Sequence, residues 1–199
     1  MMKDWDLVYR QPQPPIWNIG TVQPALAAVI DQPGAVRGDV LDAGCGYAEL
    51  ALELAARGHT VVGIDVAPTA LKVAMAAADE RGLNNVSFVQ DDITSFRGYD
   101  DRFSTIFDSG MLHSLPRNQR EPYLRSVHRA AAPGASFYIL ALAVGAFPPS
   151  EDLLPATFAE DELRQLVSKY WIVEDVQPVQ CYSTAAQLPG LLVTASKKR

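Results

Sequence analysis

Apolar residues follow two rhythms along this chain. Short apolar runs predict strands at 39–42, 60–65, 86–90, 103–108 and 135–143. Between them the spacing is helical. Val22, Leu26, Val29 and Ile30 mark a helix over 21–30, with Pro24 tolerable in its first turn. A second helix is expected over 47–57, with Gly58 at its end. The alanine-rich stretch 69–81 follows Pro68, favours helix and stops at Gly82. Residues 110–115 read as a short helix or loop, and 117–132 as a helix halted by Pro133-Gly134. Beyond a Pro-rich stretch at 145–155, Thr157 and Glu160 form a capping-box pattern that predicts a helix from Phe158 to about Lys169. Two further strands are predicted at 171–176 and 191–196. Residues 1–20 carry Trp5, Tyr9 and Trp17, but Pro12, Pro14 and Pro15 limit them to an irregular or short helical arm.

Strands alternating with helices imply an α/β fold, doubly wound, with seven strands in a mostly parallel sheet. No helical stretch separates the last two strands, because Pro178, Pro189 and Gly190 lie between them. They are expected to pair antiparallel at one edge. The whole of 1–199 reads as a single domain. Residues 1–32 form an arm and helix over its ligand site, and 145–157 an insertion that caps it.

Composition narrows the partners. Hydrophobic residues make up 48% and charged residues 20%, ordinary for a soluble domain with a sizeable core. The net charge of −6 disfavours nucleic acid as a partner, and Lys197-Lys198-Arg199 reads as a solvated tail. Cys45 and Cys181 make no disulfide framework, so a reducing cytoplasm is expected. Neither a signal peptide nor an apolar run of membrane-spanning length is evident, so no membrane partner is expected.

The chemistry concentrates around residues 40–49. Val-Leu-Asp-Ala-Gly-Cys-Gly-Tyr-Ala-Glu is an apolar run, a turn with two glycines and the start of a helix. A second run, 60–64, ends in Asp65. A strand, a glycine turn, a helix and a strand ending in an acid form a nucleoside-binding layout. The glycines let the backbone approach a ligand, and the acid accepts from a ribose diol.

Together these segments resemble the class I S-adenosylmethionine-dependent methyltransferases, a Rossmann-like family, over about residues 38–196. Val-Leu-Asp-Ala-Gly-Cys-Gly is similar to their first motif, and Val-Val-Gly-Ile-Asp-Val to the second. Val-Gln-Asp-Asp-Ile is similar to the third and Phe-Ser-Thr-Ile-Phe-Asp-Ser-Gly-Met-Leu-His to the fourth. Arg-Ala-Ala-Ala-Pro-Gly-Ala is similar to the element leading into their fifth strand. Ala48 departs from the pattern, standing where a third glycine is usual. The Pro-Pro-Ile-Trp-Asn-Ile-Gly arm, with Gln23-Pro24 after it, resembles a branch containing thiopurine-methyltransferase-like enzymes and methyltransferases of heterocyclic toxins.

The resemblance implies S-adenosylmethionine as cofactor, S-adenosylhomocysteine as product, and roles for individual residues. Gly44, Cys45 and Gly46 pass the methionine moiety, and Asp42 orients the loop or receives the amino group. Asp65 takes the ribose hydroxyls and Val66 packs on adenine. Asp92, or alternatively Asp91, accepts from the adenine amino group, and the Ile93 amide donates to the ring. Ser109 meets the methionine end. Trp17 or Tyr9 faces the sulfonium, because an aromatic face attracts a cation. His113 is the candidate general base, its ordinary pKa suiting proton removal near neutrality. Tyr9, Met111, His113 and Phe147 form the acceptor pocket with the rest of 147–154, and Tyr182 is a further candidate there. Their apolar and aromatic character points to a small, flat acceptor with an O, N or S nucleophile. No metal is expected, although Asp91, Asp92 and Asp108 leave a magnesium site open. The chain is expected to work as a monomer or homodimer. Two rival readings remain. One is a non-catalytic cofactor-binding module. The other is a nicotinamide-dependent oxidoreductase, disfavoured by Glu49 where the dinucleotide fingerprint wants glycine.

Overall fold

The computed structural model describes residues 4–148 and 155–199. The middle of the expected capping insertion, 149–154, lies outside the described residues. The centre of the molecule is one seven-stranded sheet in the order β3-β2-β1-β4-β5-β7-β6. Its strands are β1 (Val40–Ala43), β2 (Val61–Asp65), β3 (Val86–Gln90), β4 (Phe103–Ser109), β5 (Ala131–Leu142), β6 (Ile172–Tyr182) and β7 (Gln187–Ser196). Strands β1 to β5 pair in parallel. β7 runs antiparallel to both β5 and β6. The expected antiparallel edge is therefore a long hairpin with β7 on its inner side.

Every residue of β1 and β2 is buried, which is why both read as continuous apolar runs rather than alternating ones. Side-chain alternation splits the core into two layers. On one face Leu41, Ile106, Phe137 and Ile139 pack with Leu124, Val127, Leu163 and Trp171. The last four come from α6 (Arg117–Ala130), α7 (Glu160–Ser168) and the residues after α7. On the other face Val40, Phe107, Tyr138 and Leu140 pack against α2 (Pro24–Ile30), α3 (Glu49–Ala56) and α4 (Pro68–Glu80). Two short helices complete the set, α1 (Trp5–Tyr9) and α5 (Met111–Ser114).

Three expectations need correction. α7 begins at Glu160 with Ala159 at its N-cap, so Thr157 and Glu160 form no capping box. Phe158 instead makes a bridge to Ala143, with its N–H donating to the Leu142 carbonyl and its carbonyl accepting from Val144. Burying that phenylalanine against the end of β5 holds the segment extended. Pro133-Gly134 does not separate helix from strand, because β5 takes over directly from α6 at Ala131. The two residues sit in an irregular stretch of β5, where the pairing shifts register between Phe103 and Thr105 of β4. Lys197 is not solvated: its ammonium donates to Asp101 and to the Ala131 carbonyl.

The arm is tied down at three places. The Asp6 carboxylate accepts from the Thr69 N–H in the first turn of α4 at 2.8 Å, capping a helix that lacks a side-chain cap of its own. The Ile16 carbonyl accepts from Thr184 N–H at 2.8 Å, just past β6. The Gln23 side chain donates to the Tyr182 carbonyl at 2.8 Å and accepts from the Tyr182 N–H at 2.9 Å. An amide side chain thus supplies the missing ladder partner at the end of β6, the outermost strand. Gln23→Ala is expected to lower the unfolding free energy by about 1–2 kcal/mol in urea titration, from the two lost bonds. It should also expose the arm to limited proteolysis; an unchanged cleavage rate would mean that Gln23 does not hold the arm.

Candidate active site

The strand order reverses between β1 and β4, so their C-terminal ends diverge and leave a crevice. Open α/β sheets bind ligands at such a switch point. The loop after β1 turns through Gly44, Cys45 and Gly46. Gly44 and Cys45 donate their N–H groups to the Ile64 carbonyl at the end of β2. Gly46 has φ +54, and a Cβ there would stand 2.7 Å from the Tyr9 hydroxyl. Only glycine allows that phenol to lie on the loop. Ala48 adopts φ +65 at the N-cap of α3, so an alanine sustains the left-handed geometry for which the third glycine would be unstrained.

Asp65 locks this loop to the next one. One carboxylate oxygen accepts from Gly46 N–H at 2.8 Å and the other from Ala67 N–H at 2.9 Å. Burial pushes its pKa up, against these hydrogen bonds. Asp42 is 2% exposed, and burial drives its pKa up to about 7, opposed by the Ala51 N–H and reinforced by Asp65 and Asp108. Asp108, fully buried at the end of β4, accepts from Met111 N–H, Leu112 N–H and the Tyr123 hydroxyl. It anchors α5, and burial raises its pKa to about 6.

Above these carboxylates lies a cavity walled by most of the expected residues: Trp17, Asp42, Gly44, Cys45, Gly46, Asp65, Val66, Ile93 and Ser109. Tyr9, Met111, His113, Phe147 and Tyr182 line it as well. Tyr9 stacks edge-on with Trp17, at 6.2 Å, and tilts against Tyr47 at 5.1 Å. Asp92 is the exception. Its carboxylate accepts from the Thr94 N–H and hydroxyl, holding a turn, and Asp91 stands on the cavity wall instead. Asn18, Gln23 and Glu49 also reach the wall and were not expected from sequence. Only tertiary contact places the first two, whereas Glu49 follows directly from its position at the start of α3. Cys45 is a packing residue, its buried thiol pushed well above the usual range.

His113 is in the expected place but not in the expected state. Its Nδ1 accepts from the Leu142 N–H at 3.1 Å. An N–H can only donate, so Nδ1 carries the lone pair and Nε2 the hydrogen. Burial, with help from the Arg120 charge, lowers its pKa to about 4. A general base needs a free lone pair, and this one is taken.

The acidic residues on the wall are Asp42, Glu49, Asp65 and Asp91, with no lysine or arginine among the described residues that line it. Such a cavity suits a cation. It repels a pyrophosphate, the more so because Glu49 occupies the first turn of α3, where a dinucleotide would need a free helix N-terminus.

A family model described as a methyltransferase domain matches residues 40–134. The chain is 53% identical over 169 residues to the 2-heptyl-1-hydroxyquinolin-4(1H)-one methyltransferase of Mycobacteroides abscessus, covering 85% of this chain and 74% of that protein. Among solved structures, one determined in work on the conversion of a disulfide bond into a thioacetal group during echinomycin biosynthesis superposes with a TM-score of 0.88. It shares 31% identity and covers 100% of this chain and 92% of its own. The 1,6-didemethyltoxoflavin-N1-methyltransferase of Burkholderia thailandensis, solved with its substrate and S-adenosylhomocysteine, gives 0.69 at 25% identity over 88% and 77% of the two chains.

The buried carboxylates set a pH dependence. Asp42 and Asp108 keep their protons to about pH 7 and 6 when folded, and release them near 4 when unfolded. Between those values the native state binds more protons, so raising the pH destabilises it. The ligand-free protein should be most heat-stable near pH 5 and lose several degrees in Tm by pH 7.5. Asp42→Asn should flatten that slope; an unaltered slope in scanning calorimetry would exclude Asp42 as its source. With 53% identity to a named methyltransferase over 85% of this chain and 74% of that protein, and a Rossmann-like sheet shared with solved methyltransferases, the protein belongs to the S-adenosylmethionine-dependent methyltransferases.

Proposed function

We propose that the enzyme methylates a small, flat heterocycle bearing a ring hydroxyl or comparable nucleophile. The observation that carries this reading is the polarity of the cavity. Carboxylates line the end under the glycine loop, while Tyr9, Trp17, Met111, Leu142, Phe147 and Tyr182 supply apolar and aromatic surface. The M. abscessus relative is named for a hydroxyquinolinone and the B. thailandensis neighbour for a toxoflavin precursor, both heterocycles.

When bound, S-adenosylmethionine supplies a methyl group already activated on a sulfonium. The residues present fit it. Each Asp65 oxygen accepts one backbone N–H and keeps capacity for one ribose hydroxyl. Val66, 41% exposed, offers a face for adenine, and Asp91 and Ile93 stand beside it. Glu49 supplies negative charge for the ammonium, a bound cation would favour the ionised form of Asp42, and the Tyr9–Trp17 pair offers an aromatic wall for the sulfonium. Ser109 lies where β4 meets the acceptor. Holding donor and nucleophile in line can supply up to about 7–11 kcal/mol. We assign the chain to a reducing cytoplasm, consistent with Cys45 and Cys181 being free thiols. No helix among the described residues is long and apolar enough to cross a membrane.

Titration calorimetry tests the cofactor site. S-adenosylmethionine and S-adenosylhomocysteine should bind and NADH should not. Asp65→Ala should weaken both by at least about tenfold, since a hydrogen bond to a charged group contributes about 1.5–3 kcal/mol. Gly46→Ala should do the same through backbone strain and the Tyr9 clash. Incubation with methyl-labelled cofactor and a panel of hydroxyquinolines, phenols and thiols tests the acceptor. Label appearing only in macromolecules would overturn the small-molecule reading.

A further inference from the structure

We infer that this site holds no general base for the acceptor: His113 donates a hydrogen bond to it through Nε2–H, and the enzyme selects acceptors that ionise on their own near or below neutral pH. This rests on the reading of a small hydroxylated acceptor given above, and narrows its substrate class to acidic hydroxy-heterocycles and phenols.

The geometry removes each candidate base in turn. Asp42 lies beneath the loop and binds the Ala51 N–H, and both Asp65 oxygens hold backbone N–H groups. Glu49 faces Arg81 at 3.7 Å. Asp108 is consumed by two N–H groups and the Tyr123 hydroxyl, away from the cavity wall. Asp91 stands at the far side with Val66 and Ile93. Cys181 is a buried thiol raised to about 11. That leaves His113, whose lone pair is committed to Leu142 at the end of β5.

The imidazole is held in that state from several sides. Its ring leans on Gly110, where a Cβ would stand 3.0–3.1 Å from Cε1 and Nε2, so glycine at φ +96 is what lets it fold back. Its own carbonyl accepts from Ala156 N–H at 2.7 Å, fixing the backbone too. The charge that acts on it is Arg120 on α6, and the ionisable groups Cys181 and Tyr182 of β6 line the same cavity. Arg120 opposes a second positive charge. No described residue bonds Nε2, and the residue lines the cavity, so Nε2–H is a donor awaiting an acceptor.

The reaction balances without a protein base. A lone pair of the ionised acceptor oxygen forms the O–CH₃ bond while the C–S bond breaks and its electrons pass to sulfur. A cation and an anion become two neutral products, and the proton was lost to solvent before binding.

The test is kcat/KM against pH for a series of hydroxyquinolines and substituted phenols whose own pKa values run from about 5 to 10. The midpoint should follow the acceptor's pKa from compound to compound. His113→Asn places an amide oxygen at the Nδ1 position and keeps the Leu142 bond without a donor at Nε2. It should raise KM roughly tenfold, as loss of a hydrogen bond to a charged group predicts, and leave the midpoint in place. His113→Gln puts an amide N–H near the Nε2 position and should recover part of the loss. A midpoint that stays at one value for every acceptor and vanishes in His113→Asn would make His113 the base and overturn the inference. Failure to methylate any member, with cofactor binding intact in calorimetry, would overturn the acceptor class and this inference with it.

Discussion

One carboxylate holds the site together. Asp65, at the end of β2, accepts from Gly46 in the loop after β1 and from Ala67 in the loop after β2. Parallel strands leave adjacent loops unpaired at their C-terminal ends, and those loops would otherwise move independently. A buried, doubly bonded carboxylate makes them one rigid floor. The desolvation that raises its pKa is the thermodynamic cost of that position. The positive end of the methyl donor is the natural compensation, because it returns to the carboxylates some of the counter-charge that water supplied.

The architecture was largely legible because the sheet centre is apolar on both faces and glycines follow α3 and α4. β3 emerges with the expected limits, and β1, β2 and β4 shift by at most one residue at an end. The misreadings have one cause, local patterns overridden by long-range pairing. Thr157 and Glu160 have the capping-box spacing, but Phe158 is taken by Leu142 and Val144 of a distant segment. Pro133-Gly134 looks like a helix stop followed by a turn, yet β4 draws the chain straight into β5. The last two strands are longer than their apolar cores because hairpin pairing carries Pro178 and Pro189 along.

At the site, residues with a motif were found and residues with only a tertiary partner were not. Gly44, Gly46 and Asp65 follow from spacing, and Asp42 and Val66 from the resemblance to the family's motifs. The choice between Asp91 and Asp92 turned on which carboxylate Thr94 captures, a contact two residues away that the apolar pattern does not encode. The state of His113 depends on a backbone N–H 29 residues onward. A sequence can place a histidine on a cavity wall, but only the fold says which nitrogen keeps its hydrogen.

The arm carries a consequence for how the enzyme comes into being. Ile16 and Gln23, near the start of the chain, bond to Thr184 and Tyr182, near its end. Asp6 can dock on α4 early, but the Ile16 and Gln23 contacts form only once the β6–β7 hairpin has paired. Closing so long a loop is slow, because its entropy must be given up before any contact forms. The aromatic wall of the site is therefore among the last parts to assemble. Until that hairpin pairs, the acidic crevice lacks its arm contacts on that side, and binding competence would report that β6 and β7 are in place.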